Sequence, residues 1–151
     1  NRMEQYNIRY IFISLNSKYY NEVVDLRYRV FYKPTNTPIS AVFDTLEKRS
    51  YHLAAVLNDK VVGYMRLTVD DDIGQLSQFV IEENMRGKIT VAKNLFELLV
   101  KKAKENNVHE LWGEIRLPVT NIAKRYGFSV SNEIFPSSKT GILHRRIEKK
   151  I

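Results

Sequence analysis

The sequence predicts an α/β fold with a mixed sheet, on three observations. The apolar period switches repeatedly between 2 and 3.6 along the chain, proline, glycine and asparagine punctuate the switches, and the resulting order is strand, helix, three strands, helix, strand, helix, two strands. The 151 residues fit a single domain over 1–151, long enough to bury ~68–70% of the surface it exposes when unfolded. A hydrophobic share of 44% with 27% charged residues excludes a disordered or collagenous chain. The absence of cysteine removes thiolate metal sites, cysteine nucleophiles and disulfides together. No apolar run reaches the length of a membrane span and the first residues lack the apolar core of a signal peptide, so a soluble, cytoplasmic domain is expected.

Tyr6 to Leu15 alternates, with Tyr6, Ile8, Tyr10 and Phe12 on one face of a strand. From Lys18 the period lengthens: Tyr20, Val23, Val24, Arg27, Val30 and Phe31 recur at helical spacing, and the helix must end before Pro34. Pro34 to Ser50 reads as a long loop with room for a short helix, and a loop of that length in a compact domain tends to be functional. His52–Leu57 and Val61–Val69 flank a hairpin turn at Asn58–Lys60, and a turn at Asp70–Gly74 leads into a third strand, Leu76–Ile81. Ala92, Leu95, Phe96, Leu98, Leu99 and Ala103 mark a long helix closing near Asn106 and Asn107. Glu110–Ile115 is a short buried strand. Pro118 opens a helix that runs to Tyr126 and stops at Gly127, and Phe128–Ile134 and Gly141–Arg146 form a closing pair of strands.

The net charge of +7 should attract polyanions such as nucleic acid, phosphorylated cofactors or an acidic partner. A chain rich in Ile, Asn and Lys drifts basic without functional cause, so the charge alone selects none of these. The chemistry concentrates in Leu76 to Glu105. There a strand ends at Ile81, a turn carries Met85-Arg86-Gly87-Lys88, and a long helix begins. Free first-turn amides, the positive end of the helix dipole and two cations make that turn an anion site, unless Gly87 merely permits the turn and both cations are solvated.

This segment resembles the phosphate loop of the GNAT superfamily of N-acyltransferases, in which an R/Q-x-x-G-x-G/A turn grips the pyrophosphate of CoA. The resemblance extends over nearly the whole chain. Leu26–Pro34 (LRYRVFYKP) is similar to the "LRxxVF" first helix, His52–Leu67 to the second and third strands with Gly63-x-x-Arg66, Arg125–Phe128 to the end of the fourth helix, and Gly141–His144 to the opening of the last strand. It implies a GNAT-like mixed, strongly twisted sheet with helices on both faces, splayed between Leu76–Ile81 and Glu110–Ile115. It also implies acyl transfer from acetyl-CoA (CoA as carrier) to an amine of a small molecule or protein.

By the resemblance, Phe79, Val80 and Ile81 line the thioester and donate a backbone N–H to the oxyanion, while Arg86, Gly87, Lys88, Ile89, Thr90 and Val91 hold the pyrophosphate. Two departures stand out. Where GNATs have Gly-x-Gly, this chain has Ile89-Thr90-Val91, which is expected to narrow or shift the phosphate site; restoring glycine at 89 and 91 should then tighten binding. The tyrosine that commonly protonates the CoA thiolate falls at Ala123; Tyr126, one turn on at the apolar position before Gly127, is the remaining hydroxyl. Glu114, on the strand beside the thioester cleft, is the first candidate for the base that the amine needs, with an outward, solvated glutamate as the alternative.

The acyl-homoserine-lactone and N-acyl amino acid synthase branch shares the LRxxVF helix, the arginine at 66 and an acidic pair like Asp44 and Glu47, but its Glu-x-x-Arg-Phe strand reads Gln75-Leu76-Ser77-Gln78-Phe79 here. A general N-acyltransferase is therefore favoured over that branch. Donors with longer acyl chains on CoA or on acyl carrier protein, and a GNAT-shaped module without catalysis, are the alternatives. His52, His109 and His144 have no ligand spacing, so no metal is expected; His144 suits a sheet or substrate-cleft hydrogen bond and Trp112 the core. The tail Arg145–Lys150 reads as a solvated end without a nucleic-acid motif, and a homodimer is left open.

Overall fold

In a computed structural model, residues 7–87 and 89–151 are described. Among them eight strands form one sheet: β1 (Arg9–Ile13), β2 (Tyr51–Leu57), β3 (Lys60–Asp70), β4 (Ile73–Ile81), β5 (Glu110–Arg116), β6 (Ser129–Val130), β7 (Phe135–Pro136) and β8 (Leu143–Lys150). The spatial order is β1-β2-β3-β4-β5-β8-β6, with β7 also paired to β8. Every pairing is antiparallel except β4 with β5. The β2–β3 hairpin turns on Asn58 and Asp59, both left-handed (φ 49° and 63°), as a two-residue hairpin requires.

Helices cover both faces, as predicted. On one face lie α2 (Ile89–Glu105) and α3 (Thr120–Arg125), whose Val91, Leu95, Phe96, Leu99 and Ala123 bury against Leu53, Met65, Leu67, Leu76 and Leu111. On the other lies α1 (Tyr20–Arg27), with Val23, Val24 and Leu26 on Ala54, Val56, Tyr64 and Val80. The central strands are buried on both sides, which is why His52–Val56 reads as a continuous run rather than an alternation. Helix α1 runs on into a π-helical turn, Tyr28–Tyr32, and then three 3-10 turns (Lys33–Thr35, Ile39–Val42, Glu47–Arg49) occupy the predicted long loop. Residues 33–50 thus form a strap on the α1 side of the sheet.

The C-terminal third departs from expectation. Only Ser129–Val130 of the predicted strand Phe128–Ile134 pairs, and Phe135–Pro136 forms a separate short strand. The tail read as solvated is the longer part of β8: Arg145 to Lys150 pairs along β5 from Ile115 back to Glu110. Ile147 is its one fully buried residue, and the cations flanking it extend over neighbouring groups, Lys149 donating to the Tyr126 carbonyl at 2.8 Å. Trp112 is half-buried rather than core, on the face of β5 that Glu114 and Arg116 share, with the Arg146 guanidinium 4.4 Å from its ring centre.

Candidate active site

The parallel pair β4–β5 is short. It holds over Ile73–Leu76 against Glu110–Gly113 and stops there. At the last pair the strands approach so closely that a Cβ on Gly113 would lie 2.6 Å from the Leu76 carbonyl oxygen. Immediately beyond, β4 bulges. Arg66 of β3 faces Ser77 and Tyr64 faces Val80, so Gln78 and Phe79 both stand opposite Met65, with Gln78 left-handed at φ 59°. A bulge bends the strand that carries it, and this one is fixed by its own side chain: Gln78 Oε1 accepts from Arg27 Nε and from the Tyr32 hydroxyl, both at 3.2 Å. The splay expected between the two strands is therefore present. Arg116 spans it, Nη2 donating to the Phe79 carbonyl at 3.2 Å while the guanidinium lies 4.8 Å from the Phe31 ring centre.

A cavity of about 210 Å³ opens at the splay. Its floor is apolar, with Met65, Leu76, Ile115 and Val119; its mouth is polar, with Asp44 from the strap, Glu114 and Arg116 from β5, and Ser137–Thr140 and His144 before and on β8. Lys139 ties the two rims together, Nζ donating to Asp44 Oδ2 at 3.0 Å and the Ala41 carbonyl at 3.1 Å.

Beneath the mouth sits a buried ionic cluster. Arg27, fully buried, binds Glu47 through two bonds of 2.7 and 3.0 Å. Arg66 binds Asp44 through two bonds of 2.9 and 3.0 Å, reaches Glu47 at 2.8 Å and donates to Ser77 Oγ at 2.9 Å. Tyr20 donates to Glu47 at 2.6 Å, and His52 bridges the Tyr64 hydroxyl and the Glu47 carbonyl at 2.6 and 2.8 Å. Burial alone would raise the two carboxyls, but the paired guanidiniums (with Lys139 on Asp44 and Tyr20 on Glu47) outweigh it and hold each at about 2. Burial pushes the His52 imidazole down, so the neutral ring is favoured.

The anion turn lies outside this cavity. Arg86 is exposed and donates Nε to the Ile81 carbonyl at 3.1 Å. Gly87 is left-handed (φ 85°), and a Cβ there would meet nothing within 4 Å, so the approach to its backbone is open. Helix α2 starts at Ile89, which leaves its first-turn amides free of intrahelical partners. Thr90 is exposed, and Val91 is fully buried, its side chain packed near Gly63. Val91 therefore points into the core and does not crowd the turn, contrary to the expected obstruction. Lys88 and the Ile89 side chain lie outside the described residues. Val80 and Ile81 are buried and Phe79 is half-buried, its ring against Phe96.

The two catalytic candidates are not brought together. Glu114 lines the cavity but is exposed at its mouth, as the outward, solvated alternative has it. Tyr126 stacks on Phe96 of α2 with ring centres 5.2 Å apart, its hydroxyl pKa raised by burial, and Ala123 is wholly buried in that same core. His144 lines the cavity and bonds the Ile142 carbonyl at 2.7 Å. Sequence reasoning missed Arg116, Lys139 and Gln78. Arg116 follows Glu114 by two on the same strand face, a signal that was there; nothing local marks Gln78 as left-handed or Lys139 as a clasp.

Comparison with known proteins gives the site its setting. The family model described as acetyltransferase (GNAT) family matches residues 15–128. No curated protein matches the sequence. Among solved structures, Escherichia coli ElaA is similar over 94% of this chain and 98% of its own, with a TM-score of 0.76 and 17% identity. An acyl-CoA N-acyltransferase from Pseudomonas aeruginosa is similar over 94% and 99%, at 0.76 and 18%. An aminoglycoside 6'-N-acetyltransferase complexed with coenzyme A is similar over 94% and 96%, at 0.75 and 12%. At such identities these likenesses concern the fold. The family match spans most of the chain, from the residues before α1 to the end of the α3 turn, and the chain belongs to the GNAT family of acetyltransferases.

Proposed function

We propose that the protein transfers an acyl group, acetyl in the first instance, from CoA to an amine. The observation that carries this is the short β4–β5 pairing, which opens a gap between a helix N-terminus on one side and a polar cavity on the other. The residues suit the donor: Gly87 is approachable, Arg86 supplies a cation, and the first-turn amides of α2 are free to donate, so these would hold the pyrophosphate. In the reaction the amine nitrogen attacks the thioester carbonyl, the C–N bond forms, the C–S bond breaks, and CoA leaves as the thiol with the proton the amine gives up. A backbone N–H of Phe79–Ile81 would stabilise the oxyanion and Glu114 would take the amine proton.

The test is release of CoA thiol over a panel of amines, with acetyl-CoA, longer acyl-CoA and acyl carrier protein as separate donors. Turnover with acetyl-CoA is expected. Turnover with acylated carrier protein alone would move the donor to the carrier, and tight CoA binding without turnover on any amine would leave a binding module.

A further inference from the structure

The charged groups facing the cavity are Asp44, Arg66, Lys139, Glu114 and Arg116, with His144 beside them. Three of these are closed on one another, since Asp44 takes both Arg66 and Lys139. Glu114 and Arg116 have no ion-pair partner among the described residues. They are two apart on β5, hence on one face and ~6.6 Å apart along the strand. That face is opposite Leu111 and Ile115, which enter the α2 core, and it looks toward the π-helical turn after α1, where Phe31 underlies the guanidinium.

Arg116 is half-buried. One of its five N–H donors reaches the Phe79 carbonyl, and no carboxylate among the described residues pairs with its charge. Burial, aided by the nearby Arg86 cation, brings its pKa down to about 10. A guanidinium so placed is matched by an anion supplied from outside, and a planar carboxylate fits its paired donors.

We propose that the cavity takes a free amino acid as acceptor, its carboxylate paired with Arg116, its amine facing Glu114 and its side chain on the apolar floor. This rests on the amine-acceptor reading above and adds the acceptor's chemical class. The volume of about 210 Å³ exceeds the ~150 Å³ of an engineered cavity that admits benzene, which leaves room for a small amino acid.

The test is a binding measurement, so that it stands apart from turnover. The common L-amino acids and their carboxamides are titrated calorimetrically into the full chain, with and without CoA. At least one amino acid should bind, its carboxamide ~10–100-fold more weakly, the range of a charged hydrogen bond. Arg116→Gln should lower the affinity for the amino acid by the same factor and leave the carboxamide and CoA unaffected, while Arg116→Lys should retain part of the preference. Arg116→Gln should melt near the parent temperature, because the half-buried guanidinium has no ion pair to lose; should it fail to fold, the acid-to-amide ratio in the parent and in Arg116→Lys decides. Equal affinity for acid and amide, binding of neither, or loss of CoA affinity in place of amino-acid affinity overturns the proposal. Amino-acid binding without acyl transfer would sink the transferase reading and keep this one, and transfer to neutral amines with no preference for carboxylates would do the reverse.

Discussion

Glu47 is the residue on which the acceptor side of the molecule is organised, since among the described residues it alone bonds Arg27, Arg66 and Tyr20 together. Removing it leaves Arg27 without a carboxylate among the described residues and Arg66 with Asp44 only. Glu47→Ala should therefore cost about 3–5 kcal/mol in urea unfolding, the scale for breaking a buried pair from one side. Replacing Arg27 and Glu47 together by Met and Leu should cost much less. The pH dependence follows from the same groups. Asp44 and Glu47, held at about 2, each contribute stability that is complete above the ordinary carboxylate value near 4 and lost as pH falls toward 2. A shift of about two units corresponds to roughly 2–3 kcal/mol apiece. His52, lowered by burial, adds stability that is complete above ~6.5 and fades as pH drops through its folded value. All three have one sign, so the denaturation midpoint should fall steadily from pH 7 to 2.5, and with little response to salt because the pairs are buried. A midpoint that stays level below pH 5 would refute this.

At the scale of elements, the splay depends on what happens at its apex. Gly113→Ala brings a Cβ to 2.6 Å from the Leu76 carbonyl, a backbone atom that cannot rotate aside, so it should destabilise by about 1–3 kcal/mol in chemical denaturation. Val91→Gly should cost about 2 kcal/mol or more through lost core packing and helix propensity, and it should not tighten CoA binding, because that side chain faces Gly63 rather than the turn.

The elements up to α3 were legible because each carries a local signal: a period, a first-turn proline, a left-handed Asn-Asp pair. The anion turn was legible for the same reason, as a strand end followed by glycine and a helix. The C-terminal strands were not, since β8 places one buried isoleucine among cations and its pairing is dictated by β5, whose partners lie 28 (Arg116 to His144) to 40 (Glu110 to Lys150) residues away in sequence. Arg27, Glu47 and Arg66 stood out as a family pattern, yet their closure into one cluster is a property of three distant segments. The same holds for Gln78, whose left-handed backbone is imposed by hydrogen bonds from α1 and the turn that follows it.

On the scale of the whole molecule, the sheet separates two chemistries. The α2 face offers a helix N-terminus and an open glycine; the α1 face offers a cavity with matched and unmatched charges; the gap between β4 and β5 joins them. On this reading the acyl donor is held at the turn, independently of the acceptor cavity. The direct measurement is calorimetric titration of CoA into the parent, Arg86→Ala, Gly87→Val and Arg116→Gln. A single CoA should bind the parent. Gly87→Val, which fills the open approach and strains a left-handed backbone, and Arg86→Ala should each weaken binding ~10-fold or more, while Arg116→Gln leaves it unchanged. Absence of CoA binding, or equal affinity across all four proteins, would contradict the claim.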